Sequence, residues 1–210
     1  MSKELPVEAM AETEQAIGQE KDDEAEARRR IEKKIKGIVT VKFGDDINTD
    51  YIIPAYLLQE AWDKRFFADY AFERYRPEFV KTCRLNADNI VVGGRNFGCG
   101  SSREQAVYAI QYNNVNAVIA ESFPDIFFRN SINNAFCVVR VESTSDFELG
   151  DEVEIDLGNL VVLRRDKQSG ALKVRKEILM SAEERDLLVS GGRLGKVKNR
   201  LRQRLLHGRD

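Results

Sequence analysis

The stretch Gly93–Ile110, GGRNFGCGSSREQAVYAI, places glycines, two adjacent serines and an arginine ahead of a helical run. A helix N-terminus presents unpaired amides and a partial positive charge, which suits an anion. Gly98 and Gly100 let the backbone approach a ligand closely. Arg103 adds a planar fork that grips a carboxylate through two parallel hydrogen bonds. A serine placed there, Ser101 or Ser102, can carry a stabilised oxyanion, or act as a base if its alkoxide is held by such donors. The same residues also have a structural reading. Ser101-Ser102-Arg103-Glu104 fits the S-x-x-E capping box, in which Ser101 caps the helix and Glu104 reaches back to its amide. The two readings do not exclude each other.

Other chemistries are excluded. The loop has no lysine where a phosphate-binding G-x-x-x-x-G-K-[ST] loop needs one, and no G-x-S-x-G elbow. His207 is the only histidine, so a Ser-His-Asp triad is not available. If Ser101 reacts, its activation must come from backbone dipoles, Arg103 and a group outside this chain. Cys83, Cys99 and Cys137 are far apart, with no C-x-x-C or Cys/His cluster, which predicts no zinc or iron–sulfur site in the chain itself.

Two further constellations carry polar side chains. In GDDINTDYIIPAYLL, residues Asp45, Asp46, Asn48, Thr49 and Asp50 do not meet the EF-hand spacing. They read either as an Asx-rich turn before a short strand or as a loop facing an active site. In SFPDIFFRNSINNAF, Arg129, Asn130, Asn133 and Asn134 accompany Phe127, Phe128, Ile132 and Phe136. That is an amphipathic helix ended by its asparagines, or a polar face at a domain or subunit contact.

The elements that must hold these motifs alternate along the chain. GIVTVKFG reads as a strand, EAWDKRFFADYAFERYRPEFVKTC as helices interrupted before Pro77, NIVVGG as a buried strand and SSREQAVYAIQYNN as a helix. NAVIAES is a strand, FPDIFFRNSINNAF a helix with Pro124 near its first turn, and CVVRVE a strand. This order implies parallel pairing through crossovers. DEVEIDLGNLVVLRRDKQSGALKVRKE alternates and turns at LGN and QSG, as an antiparallel hairpin or meander does. SAEERDLLVSGG reads as a helix capped by Ser181 and stopped by Gly191 and Gly192. LGKVKNRLRQRLL then lines Leu194, Val197, Leu201 and Leu205 on one face among basic residues. The plain expectation is that this stripe packs on the domain. The alternative is that it meets an acidic partner, RNA or a membrane surface.

Composition bounds the rest. The chain has 210 residues, 32% charged, with a net charge of −2, which does not point to a nucleic-acid binder. No apolar run approaches the roughly 18 residues of a membrane span. The acidic N-terminus lacks the apolar segment of a signal peptide, and the odd, scattered cysteines fit a reducing compartment. A cytoplasmic protein is expected, with a charged N-terminal tail (1–36), one mixed β/α domain (37–180) and a basic helical C-terminal extension (181–210).

Taken in order and at their spacing, FGDDINTDYIIPAYL, GGRNFGCGSSREQA and ESFPDIFFRNSINNAF resemble the small subunits of 3-isopropylmalate dehydratases, in the aconitase superfamily. The resemblance covers roughly residues 37–180. It implies the α/β swivelling β/β/α domain of aconitase, with a mixed sheet flanked by helices. It implies a heterodimer or heterotetramer with a large subunit that holds a [4Fe–4S] cluster, this chain binding no cofactor. The substrate would be a small hydroxy acid, with no nucleic acid or membrane as partner. On the matching positions, Ser101 is the base that removes a carbon-bound proton. Ser102 and Arg103 bind the substrate carboxylate and support the serine, and Thr49 and Asp50 are a further active-site pair. Leu57 and Leu58 lie in the segment similar to the family's specificity loop, and their apolar side chains suit an isopropyl group. A homoaconitase, which handles one more carboxylate and is expected to place an arginine in that loop, or another aconitase-like hydroxy-acid dehydratase, is the alternative. A non-enzymatic anion-binding module is a third reading. Gln105 stands where many relatives have histidine, which keeps hydrogen bonding and loses titration, and the arginine often found just before the Tyr-Leu pair is absent.

Overall fold

The computed structural model describes residues 34–59, 63–166 and 169–206, the last five as backbone. The tail before Lys34, and any role for it, lies outside the described residues. The first strand, β1 (Lys34–Lys42), leads into a helical excursion: α1 (Thr49–Ile52), a 3₁₀ turn at Ala55–Gln59, α2 (Phe66–Asp69) and α3 (Phe79–Arg84). Then β2 (Asn89–Val92), α4 (Glu104–Gln111), β3 (Val115–Ala120), α5 (Asp125–Asn133) and β4 (Cys137–Arg140) alternate, as the pattern of apolar runs predicts. The meander follows as β5 (Glu152–Asp156), β6 (Val161–Arg165) and β7 (Leu172–Glu177), and α6 (Ala182–Val189) and α7 (Gly192–Leu206) end the described chain.

All strands join one seven-stranded sheet in the order β4-β3-β2-β1-β5-β6-β7. β1 to β4 run parallel, and β5 returns antiparallel to β1, opening the meander half. Three crossovers step the same way, and right-handed crossovers that do so place their helices on one face. That face buries Val41, Val91, Val118 and Val138 against Phe72, Phe79, Val107, Ile110, Phe127 and Ile132. The opposite face buries Ile90, Ile119, Val139 and Ile155, covered by Phe147, Ile178 and Leu188. Burial on both faces is why β2 and β3 read as near-continuous apolar runs. β7, at the meander edge, is mostly exposed and carries Lys173, Arg175, Lys176 and Glu177, charges that disfavour edge-to-edge pairing.

Two local expectations change. IIPAYLL is not a strand: Asn48 accepts a hydrogen bond from the Asp50 amide (2.9 Å) and caps the short α1, and the 3₁₀ turn follows Pro54. The long helical reading between residues 60 and 84 resolves, where described, into two short helices, with Phe72 at positive φ between them. The Ser181 cap is as expected, a full capping box with Glu184.

Candidate functional site

The site sits beyond the carboxyl ends of β1 and β2, where open parallel sheets place their ligands. Two loops meet there, residues 43–48 and 93–103. Their backbones are joined from Gly98 N to Ile47 O (2.7 Å), from Thr49 N to Cys99 O (2.7 Å) and from Asp46 N to Arg95 O (2.8 Å). Side chains reinforce the seam. Asp45 accepts from the Arg95 amide (2.7 Å) and from its Nε and Nη2, and Asn96 donates to Asp46 at 2.7 Å. These bonds with Arg95, its amide first, hold the Asp45 carboxyl below the usual range. The Asp45–Arg95 latch spans fifty positions, and no local pattern announces it.

The glycines of the serine loop have separate reasons. Gly98 (φ 83°) lies against the Phe127 ring, and Gly100 (φ 98°) against Asn48, whose Oδ1 would be 2.5 Å from any Cβ placed there. Both positions combine a left-handed backbone with a neighbour that leaves no space for a side chain.

Ser101 does not cap α4. The helix begins at Glu104, Arg103 is the extended N-cap residue, and no side chain makes the cap bond. Glu104 instead accepts from Asn134 Nδ2 (2.6 Å) at the end of α5, so its carboxylate serves helix–helix contact and the capping box does not form. Asn134 also receives the Tyr108 hydroxyl (3.3 Å) and donates to Asn130 O (2.9 Å), which makes it the residue that ends α5. Ser101 and Ser102 are both exposed. Neither hydroxyl, and no backbone N–H from Gly100 to Arg103, has a protein partner among the described residues. The Ser101 carbonyl is held by Thr49 Oγ1 (3.1 Å), and Thr49 itself is buried.

Arg103 is the most constrained member. Its side chain is 10% exposed, and Nη1 donates to Asp50 Oδ1 (2.5 Å) and to Ile53 O (3.1 Å). Among the described residues, Nε and Nη2 have no acceptor, which leaves one edge of the guanidinium for a ligand. Asp50 is half exposed and receives this charge from one side. The structure thus brings Thr49, Asp50, Ser101, Ser102 and Arg103 together. The Ile53 carbonyl, which sequence reading missed, completes the Arg103 anchor.

The two leucines part company. Leu57 is buried in the helical-face core, whereas Leu58 is only partly buried at its margin. Leu57 therefore has almost no surface to offer a ligand, and Leu58 retains some.

No group of three or more His, Cys, Asp or Glu side chains positioned to hold a metal occurs among the described residues. Cys83 and Cys137 are buried in the core, and burial pushes each thiol up to about 12. Cys99 is partly buried in the serine loop, with its thiol raised first by burial and then by Asp46. Cys83 and Cys137 belong to the cores on opposite faces of the sheet, and Cys99 to the serine loop.

The chain is similar to known proteins of one family. A family model described as the aconitase C-terminal domain matches residues 10–144, which contain all three motifs. The 3-isopropylmalate dehydratase small subunit of Aquifex aeolicus is 41% identical over 175 residues, covering 81% of this chain and 98% of that protein. The methanogen homoaconitase small subunit of Methanocaldococcus jannaschii is 39% identical over 159 residues, covering 76% of this chain and 89% of that protein. A crystal structure of 3-isopropylmalate dehydratase from Methanocaldococcus jannaschii superposes with a TM-score of 0.71 at 36% identity, covering 83% of this chain and 99% of that one. With the mixed sheet and the serine loop in place, the chain belongs to the aconitase C-terminal domain family, and within it to the dehydratase small subunits.

Proposed function

We propose that this chain is the small subunit of a hydro-lyase that interconverts 2-isopropylmalate and 3-isopropylmalate by dehydration and rehydration, in leucine biosynthesis in the cytoplasm. The observation that carries this reading is the half-used Arg103 fork. Nη1 is anchored to Asp50 and Ile53, and among the described residues Nε, Nη2 and the hydroxyls of the preceding Ser101 and Ser102 have no partner. Arg103 binds a substrate carboxylate with its open edge, and Ser102 adds a hydroxyl donor. Ser101 Oγ, held as an alkoxide, takes the carbon-bound proton while hydroxide leaves the adjacent carbon. It returns a proton to the other carbon when water adds back. The free amides from Gly100 to Arg103 supply fixed dipoles that favour the negative oxygen. Thr49 sets the height of Ser101 through the Ser101 carbonyl, and Asp50 fixes the plane of Arg103.

This chemistry requires a second subunit, in a heterodimer or heterotetramer. A [4Fe–4S] cluster held by that subunit would supply the Lewis-acid chemistry that lets the substrate hydroxyl depart. In this reading residues 37–180 are the catalytic swivelling domain, with the charged tail 1–36 before it and the basic extension 181–210 after it. Leu58, backed by Leu57 in the core, offers an apolar contact worth about 1–3 kcal/mol to an isopropyl group. The likeness to a homoaconitase small subunit supports a second reading, in which the substrate is a tricarboxylate.

The test is Ser101→Ala, assembled anaerobically with the large subunit and followed by ultraviolet absorbance of the unsaturated intermediate. Near-complete loss of turnover with the complex intact is expected, and full activity would remove Ser101 from the mechanism. Running 3-isopropylmalate beside homocitrate and citrate separates the two substrate readings: activity on a tricarboxylate alone keeps the mechanism and overturns the role of Leu58.

A further inference from the structure

The basic helix α7 does not pack its apolar stripe on the domain. Leu194 is 60% exposed, Val197 50% and Leu201 52%. Leu205 lies outside the described side chains. The reason is that α7 docks through its glycines. A Cβ on Gly192 would meet the Asn133 carbonyl, and one on Gly195 the Ser190 carbonyl, so both must be small for the helix to approach α5 and α6. At 100° per residue, Gly192 and Gly195 share one side of the helix, while Leu194, Val197 and Leu201 share the opposite side. The stripe is therefore left outward, flanked by charge. Residues 192–206 contain six basic residues, Arg193, Lys196, Lys198, Arg200, Arg202 and Arg204, and no acidic one. Lys196 pairs with Asp186 of α6 (2.7 Å), whereas Arg193 and Arg200 have no acidic partner among the described residues.

We propose that the outward face of α7 is covered by the acidic N-terminal segment of the same chain. Residues 1–26 hold nine acidic side chains (Glu4, Glu8, Glu12, Glu14, Glu20, Asp22, Asp23, Glu24, Glu26) against Lys3 and Lys21, a balance of −7 opposite the +6 of α7. The same segment offers Leu5, Val7, Met10 and Ile17 for the apolar stripe. Its point of entry is favourable. Lys34 lies beside Asp156 (3.6 Å), and the turn that follows Asp156 touches α6, where Arg185 Nη1 donates to Gly158 O (3.4 Å). Asp186, the next residue of α6, carries the ion pair to α7. Seven residues lie between Glu26 and Lys34, and the eight steps reach about 26–29 Å when extended, more than the roughly 22 Å length of a 15-residue helix. Charge complementarity and this short path favour the chain's own segment over a separate partner, because a tethered segment is present at high effective concentration.

The experiment is zero-length carbodiimide cross-linking of the full chain at low ionic strength, in an equal mixture of ¹⁵N-labelled and unlabelled protein, read by mass spectrometry. The expected result is amide links from Lys196 or Lys198 to carboxylates within residues 4–26. Each linked pair carries a single isotope, and the links are lost in high salt. Links of mixed isotope would overturn the proposal and assign the face to a second copy. Links from these lysines to the folded domain alone would also overturn it. A second variant, Arg193→Glu with Arg200→Glu, is expected to lose the cross-links and to raise binding of an apolar fluorescent dye. Unchanged dye binding in that folded variant would refute the covered stripe. Neither readout involves turnover, so the outcome is independent of the proposed reaction.

Discussion

Replacing Arg103 by Lys keeps the charge and removes the fork. In the folded chain, Arg103 spends Nη1 on Asp50 (2.5 Å) and Ile53 O (3.1 Å), and Nε and Nη2 have no acceptor among the described residues. Lysine has one nitrogen for all these tasks. If it stays with Asp50 and Ile53, the substrate carboxylate loses a bidentate partner. Each hydrogen bond to a charged group contributes about 1.5–3 kcal/mol, and lysine recovers at most one of the two. The expected loss in kcat/KM is therefore about 10–100-fold. The effect on stability is smaller, because Asp50 is half exposed and an ion pair of that kind contributes at most about 1 kcal/mol. A melting shift of only a few degrees, about 2–4 °C, is expected for a chain of this length. The assay is steady-state turnover of the reconstituted complex, with thermal unfolding of the isolated chain in parallel. A folded Arg103→Lys protein within about threefold of the parent kcat/KM would refute the view that the open edge of the guanidinium holds substrate.

Gly100→Ala places a side chain at φ 98° against Asn48 Oδ1, and a strain of about 1–3 kcal/mol should appear in chemical denaturation, with turnover falling further because Ser101 moves. The Asp156 carboxyl receives the Asn159 amide (2.8 Å) and Asn159 Nδ2 (2.9 Å), which with Lys34 hold it below the usual range despite its burial. The stability it contributes is thus present above the unfolded value of about 3.9 and lost as the pH falls through the lower folded value. Asp156→Asn should flatten the acid limb of stability measured by denaturant titration at each pH. Thiol labelling at neutral pH should modify Cys99 first, with Cys83 and Cys137 reacting only on unfolding, because both are buried with thiols at about 12; early labelling of Cys137 would contradict its place in the core.

Much of the fold is legible along the chain because it rests on local periodicity. Continuous apolar runs at Ile90–Val92 and Ala117–Ala120 mark strands buried on both faces, and alternation from Glu152 to Glu177 marks the meander. The Ser181 cap is equally local, since both partners lie within three residues. The candidate site is legible as residue types: Ser101, Ser102 and Arg103 on a glycine turn, and Thr49 and Asp50 in an Asx-rich stretch.

Tertiary structure decided how those residues are used. The S-x-x-E pattern is present, yet Glu104 bonds Asn134 thirty positions away, and the helix starts after the serines, whose hydroxyls have no partner among the described residues. One edge of Arg103 is fixed only because α1 brings Asp50 and Ile53 to it across fifty positions. Leu57 and Leu58 are identical letters, and only packing sends one into the core and leaves the other at its margin. The amphipathic pattern of α7 predicts a buried stripe, but two glycines on the other side make the closer contact and turn that stripe outward. Periodicity reports which residues share a face. Which face is buried depends on the shape of the neighbour, and that is set by contacts remote in sequence.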